Sequence, residues 1–300
     1  ADQIGAAQVR VAGNARDIKL QNTERLKSTD LAVRTATKNQ VIIAISEHIR
    51  DLMLLPREQD GYGYPKETNI SVIHEGVDIE RFKPDIAARK SMRKSLHIAQ
   101  DAPVVGIITR LHSLKDPKGF LIAMAALKKR IPNAHFVMIG EGLSPDNDVH
   151  TSNGKADSAL ANILDEIKHH MGVDLRDGSL HLLGQRDDIP QLLNGMDILT
   201  SASQSEGFGR TIIEAKAVGV PSVVTDTGPM PKLSGPNGKV IPKRDITTDI
   251  KVAEASFSGN TEQIERLWQK NIDWAENAAK SYAEILERSP KENSRIAQEE

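Results

Sequence analysis

The chain has 300 residues, with 39 Lys+Arg against 41 Asp+Glu, no Cys, and 39% hydrophobic residues. That length builds one large or two modest domains, and the near balance of charge gives no general electrostatic case for nucleic acid. The absence of Cys excludes disulfides and thiolate metal sites and fits a reducing compartment, and no apolar run reaches the length of a membrane span.

The opening Ala1-Asp-Gln-Ile4 lacks a basic stretch followed by an apolar one, so it does not read as a secretory signal. It also lacks an initiator Met, so a trimmed chain, a processed form or a fragment is expected. Residues 1–40 mix basic and acidic residues, with helical periodicity over Thr23–Thr37, and read as an exposed helix with loops. Val41–Ile45 has the pattern of a buried strand. Ser46 follows as the N-cap of a helix over Glu47–Leu55, a role that accounts for it without catalysis. Residues 56–69 have hinge composition, with Gly61, Gly63 and two prolines. A strand is predicted at Asn69–Ile73 and a short helix at Arg89–Leu96, whose basic run reads as a solvated face.

From residue 103 strands and helices alternate. Strands are expected at Val104–Thr109, Ala134–Ile139, Ser179–Leu183, Met196–Thr200 and Pro221–Asp226. Helices fall at Gly119–Arg130, Ala159–Met171, Ile189–Asn194 and Thr211–Val218, with a polar insertion over residues 143–157. This alternation predicts βαβ units, right-handed crossovers and a parallel sheet. Ligands of such sheets bind beyond the carboxyl ends of the strands. That rule sets Arg110, Glu141, Gln185, Glu206 and Asp226 along one rim. After Asp245 two further helices are predicted, Thr261–Gln269 and Ile272–Glu287, with Trp268, Trp274 and Tyr282 packing them onto the body.

The stretch Glu206-Gly-Phe-Gly-Arg-Thr-Ile-Ile-Glu214 stands out chemically. Two carboxylates bracket a glycine-flanked Phe208, and the run opens onto a helix whose free N–H groups favour an anion. Glu214 is placed in that helix's first turn, where an acid either complements the dipole or accepts from two hydroxyls of a ribose. Glu206 precedes glycines that let backbone approach a ligand closely. The two acids are therefore expected to hold opposite ends of one phosphate-containing ligand. Arg110 and Lys115, the cations nearest the end of the first strand, are expected to neutralise its diphosphate.

Other candidates carry less. Asp146 and Asp148 lie in the polar insertion and read as solvated loop. His169 and His170 are neighbours on a helix, point to different faces, and make poor joint metal ligands. Gly140-Glu-Gly142 lacks the third glycine of a dinucleotide fingerprint, and neither a GK[ST] phosphate loop nor a GxSxG elbow occurs.

Taken in order, five stretches resemble the motifs of the retaining, group 1 (family 4) glycosyltransferases of the GT-B fold. They are Val41–Glu47; Val72–Asp78 with Phe82 and Pro84; Gly106–Leu111 with Lys115-Asp116; Met138–Gly142; and Leu182–Gln185 continuing through Asp197 and Glu206–Glu214 to Thr225–Gly228. The resemblance covers residues 40–245. It implies an α/β, Rossmann-like parallel sheet that binds a nucleoside-diphosphate sugar, and transfer with retention to a glycan or lipid-linked acceptor in polysaccharide biosynthesis. It implies that Arg110 and Lys115 bind the diphosphate and stabilise the leaving group, while Glu214 holds the ribose and Glu206 orients the sugar. Gly207, Phe208 and Gly209, with the backbone at Arg210 and Thr211, would contact sugar and phosphates. Leu183 to Gln185 would border the base. No metal and no cofactor are implied, the protein's cations doing that work. The expected location is cytoplasmic; peripheral association at the inner membrane face is left open and the sequence does not indicate it.

The expected organisation is a remnant of the acceptor-side domain at 1–57, a hinge at 58–72, the donor domain at 73–245, and helices and tail at 246–300. Most of the acceptor-side domain has no counterpart in the sequence. Glu75 stands where the family often has Asn, and Pro229-Met-Pro-Lys232 follows Gly228 where the family carries small or acidic residues. The alternative to an enzyme is a non-catalytic nucleotide-sugar-binding module that needs a partner domain. A dinucleotide oxidoreductase would need the missing glycine fingerprint.

Overall fold

The computed structural model describes residues 9–12, 41–59, 61–143 and 156–288. The predicted helix at 23–37, the Asp146/Asp148 pair and the tail 289–300 lie outside them. The chain divides into two compact units. The first is residues 1–77 with 205–210 and 227–233; the second is 78–204, 211–226 and 234–300.

The first unit carries a parallel three-stranded sheet in the order β1 (Val9–Ala12), β2 (Val41–Ala44), β3 (Ile70–Val72). β1 was not foreseen; it pairs in register with β2, Val9 opposite Val41. The expected strand and helix follow in order. α1 (Glu47–Leu54) is capped by Ser46, whose Oγ accepts from Ile49 N at 3.2 Å. Ile49 and Met53 of α1 close on Ile42, Ala44 and Tyr64 to make a small core.

The second unit is built on six parallel strands in the order β6-β5-β4-β7-β8-β9. These are β4 (Val104–Ile108), β5 (His135–Ile139), β6 (Leu180–Leu182), β7 (Ile198–Ser201), β8 (Ser222–Thr225) and β9 (Lys239–Ile241). β7 and β8 are buried at every position, as befits central strands covered on both faces. The helices in chain order are α2 (Ile86–Ser95), α3 (Pro117–Arg130), α4 (Ala156–Met171), α5 (Ile189–Asn194), α6 (Arg210–Ala217), α7 (Met230–Ser234), α8 (Thr247–Phe257) and α9 (Thr261–Arg288). The α/β class and the parallel sheet are as the alternation predicted.

α7, β9 and α8 have no counterpart among the expected elements, and two others differ from expectation for identifiable reasons. The two predicted C-terminal helices are one helix, α9, of 28 residues. Asn271, where the break was expected, is buried and accepts from Arg244 Nη1 at 3.2 Å. α9 runs along α3, and Trp268, Tyr282 and Leu286 join the main core with Phe120, Met124 and Leu127. In addition, α2 does not present its basic run to solvent throughout. Arg93 is fully buried and, with Arg89, grips Asp197 at 2.8 and 2.7 Å. Asp197 also accepts from Val104 N at 2.8 Å, so this cluster anchors α2 to the entry of β4.

Candidate functional site

Because all six strands run the same way, their carboxyl ends share one edge. Arg110 leaves β4 there, exposed. The exits of β4, β5 and β6 are locked together: Thr109 N donates to Ile139 O at 2.8 Å, Leu111 N to Glu141 O at 3.1 Å, and Gly140 N to Gly184 O at 2.7 Å. Gly140 has φ 140°, and a Cβ there would collide with the Thr109 carbonyl. Only glycine lets these exits lie so close. Leu183, half-buried, donates from its N to Met138 O at 2.9 Å, and Gln185 projects exposed beyond it.

Lys115 closes a 3₁₀ turn, Ser113–Lys115, directly before Asp116. The turn is held on both sides of the lysine. Before it, Leu114 is buried and its carbonyl accepts from Gln204 N at 2.8 Å. After it, Asp116 takes a left-handed conformation, φ 44°, and caps α3 by accepting from Gly119 N at 2.9 Å. Arg244 forks onto the same carboxylate, Nη2 to Oδ1 at 2.7 Å and Nε to Oδ2 at 3.1 Å. Asp249 takes the other side of the guanidinium at 3.0 and 2.7 Å. Gln204 Nε2 reaches Asp116 Oδ2 at 3.3 Å and the Arg244 carbonyl at 3.0 Å. Both charged partners of the central pair are 2% exposed. Burial alone would push the Arg244 guanidinium down, but its bonds to Asp249 and Asp116 hold it above its ordinary value. Burial would likewise raise Asp249, but Arg244 and Lys118 hold it below the usual carboxylate range.

Helix α6 begins at Arg210, so Glu214 sits in its second turn rather than its first. The dipole-complementing role considered for Glu214 therefore falls away, since that effect fades beyond the first turn. Thr211 and Glu214 are half-buried in the second unit.

Glu206, Gly207, Phe208, Gly209 and Arg210 belong to the first unit, which braces their loop at four points. Ser46 Oγ donates to Gly207 O at 2.6 Å while still capping α1, so capping does not account fully for this serine. The Phe208 ring is buried beside His74, centroids 5.8 Å apart. Arg210 Nε lies 4.0 Å from Glu75 Oε2. A Cβ on Gly228, φ 50°, would strike the Glu206 carbonyl. His74 in turn meets Glu47 at 3.0 Å. A backbone hydrogen bond at the start of α1, then His74, hold the Glu47 carboxyl below its usual range.

The sequence singled out Lys115 but missed Arg244, Asp249 and Gln204 behind it. The signal was thin: Asp116 before Pro117 could have marked a helix cap, but nothing local named its partner 128 residues on. His169 and His170 do not behave as expected from their adjacency. Their rings meet edge-on with centroids 4.6 Å apart, and Glu265 of α9 joins them.

The fold and this edge define a Rossmann-like α/β protein of the GT-B type. A family model described as "Glycosyl transferases group 1" matches residues 88–281, and the chain belongs to that family. Among curated relatives, a UDP-Gal:alpha-D-GlcNAc-diphosphoundecaprenol alpha-1,3-galactosyltransferase of Escherichia coli is 29% identical over 54% of this chain and 38% of its own length. A D-inositol 3-phosphate glycosyltransferase of Salinispora tropica is 30% identical over 54% of this chain and 33% of its own. The matches thus span a third to two fifths of these relatives' own length. Anabaena Alr3699/HepE, solved with UDP and glucose, superposes with a TM-score of 0.61 at 21% identity, over 96% of this chain and 71% of that one. WaaG, a glycosyltransferase of lipopolysaccharide biosynthesis, gives 0.59 at 17% identity, over 96% and 74%. At these identities the structural likeness speaks to the fold.

Proposed function

We propose that this chain binds a nucleoside-diphosphate sugar and serves transfer of its sugar, with retention, to a glycan or lipid-linked acceptor. The observation that carries this is the Lys115 turn, clamped by Gln204 before the lysine and after it by the buried Asp116–Arg244 pair, with half-buried Asp249 on the other side of the guanidinium. A cation so fixed beyond a strand end suits a diphosphate, whose charge grows as the sugar leaves. Arg110 shares that role. Glu214 accepts from the ribose hydroxyls, and Leu183 to Gln185 border the base. The backbone from Gly207 through Phe208, Gly209 and Arg210 to Thr211 serves phosphates and sugar, and Glu206 orients the sugar hydroxyls. No step is assigned to a metal or cofactor. The UDP and glucose held by Alr3699/HepE support a nucleotide-sugar donor, and the galactosyltransferase relative supports a lipid-linked acceptor. The location proposed is cytoplasmic. Among the described residues no helix is long and apolar enough to cross a membrane.

The test is a thermal-shift screen of uridine, guanosine and adenosine diphosphate sugars, followed by calorimetry on the best. Lys115→Ala and Glu214→Ala should each weaken binding by about 10- to 100-fold, the worth of a hydrogen bond to a charged group. Unchanged binding in both would remove the site. The relatives' greater length favours a second outcome, donor binding without turnover by this chain alone. A turnover assay with the same donors separates the two.

A further inference from the structure

The last turn of α4 and the start of α9 bring together three groups that the donor site does not use. The ligating atoms of His169, His170 and Glu265 all lie within 4.8 Å of one another. His170 is fixed in place: its ring stacks on the buried Trp268, centroids 4.5 Å apart and planes 19° from parallel, and its side chain is 8% exposed. Its Nδ1 is buried and finds no hydrogen-bond partner among the described residues. That nitrogen faces Glu265 Oε1 at 3.4 Å.

The separation is informative. An N–H···O bond prefers about 2.7–3.2 Å. Two ligands each about 2.0–2.1 Å from one tetrahedral ion stand about 3.3–3.4 Å apart. A buried ring nitrogen left unsatisfied is costly, and an ion between the two groups would satisfy it. His169 is exposed, and rotation about its side-chain torsions can bring its ring onto the same point. Two imidazoles and a carboxylate form a donor set of borderline softness, suited to zinc and its neighbours rather than to magnesium or calcium.

We propose that His169, His170 and Glu265 form a divalent-ion site of the zinc class that ties the end of α4 to the start of α9, with water completing the coordination. The ion is structural and takes no part in the donor chemistry.

The metal-freed chain would be titrated with Co(II), followed by visible absorption, and with Zn(II), followed by calorimetry. One ion per chain is expected. His169→Ala and Glu265→Gln change exposed side chains, leave the fold intact, and should each weaken binding by at least about tenfold. His135→Gln removes one member of the other imidazole pair, His135 and His181 at 3.1 Å, and should leave binding unchanged. Zinc should raise the thermal midpoint of the parent chain more than that of Glu265→Gln. Failure to bind one equivalent, equal affinity in the parent and both variants, or loss of the ion in His135→Gln would each overturn the site.

Discussion

Lys115 owes its position to groups far from it in the chain, so its neighbourhood should respond to changes at Arg244. Arg244→Met would leave the buried Asp116 and the half-buried Asp249 without their shared counter-charge. Breaking a buried ion pair from one side costs about 3–5 kcal/mol. Denaturant unfolding should show a loss of that order, with Arg244→Lys losing less because it keeps the charge and forfeits only the fork. Ser46→Ala removes both the cap of α1 and the bond to Gly207 O, and should cost about 1–2 kcal/mol by the same measurement. His181 makes stability depend on pH. Burial, then the neighbouring His135, push its pKa down to about 4 from 6.5. Between those values the unfolded chain takes up a proton that the folded chain does not, so stability is lost as pH falls through that window. The loss should be roughly 2–3 kcal/mol by pH 4, and His181→Gln should remove most of it in a series of denaturant melts. At this scale the sequence displayed the acids and cations worth asking about. It did not display which of them were braced, because Arg244 and Asp116 meet only after 128 residues of chain have folded.

Elements show where local signals suffice. β4 was legible from its apolar run, and its glycine has a packing reason: a Cβ on Gly106 would collide with Met196 Sδ. Gly106→Ala should therefore destabilise by about 1–3 kcal/mol in thermal unfolding, despite Ala's better strand-forming entropy. One cap was legible: Ser46 accepts from Ile49 N, as expected, whereas Asp85 and Asp116 cap their helices in the same way, from Ala88 N and Gly119 N, without having been singled out as caps. Boundaries set by tertiary contacts were not. α6 starts early enough to carry Glu214 into its second turn, and α9 continues through Asn271 because Arg244 supplies that side chain's partner. The basic run of α2 misled for a similar reason. Arg93 is charged in sequence and fully buried in space, its guanidinium held by Asp197 and by the carbonyls of Gly195, Ala99, Gln100 and Ala102.

For the molecule as a whole, the two units differ in how much core each owns. The first has a small cluster around Ile42, Ile49 and Met53, whereas the second buries α3 and α9 together with the faces of its sheet. Local opening energies follow buried apolar contact. Hydrogen exchange should therefore release the amides of β2 and α1 well before those of β4, β5 and β7. Equal protection in both would contradict this difference in cores.

The alternation of short apolar runs with helices determined the parallel α/β sheet by itself, because a strand covered on both faces must be apolar along its length and must return through a helix. The same sequence carried the stretch Glu206–Glu214 and the cations Arg110 and Lys115 as candidates, since residue type and glycine placement are local properties. Only the tertiary structure decided how these are held. It gave Gly207 and Phe208 their bracing from Ser46 and His74, fixed the Lys115 turn through Gln204 and the Asp116–Arg244 pair, and turned two adjacent histidines toward Glu265. The Ser46–Gly207 bond and the Asp116–Arg244 pair depend on which distant groups share a buried space, where an unpaired charge or polar atom is costly.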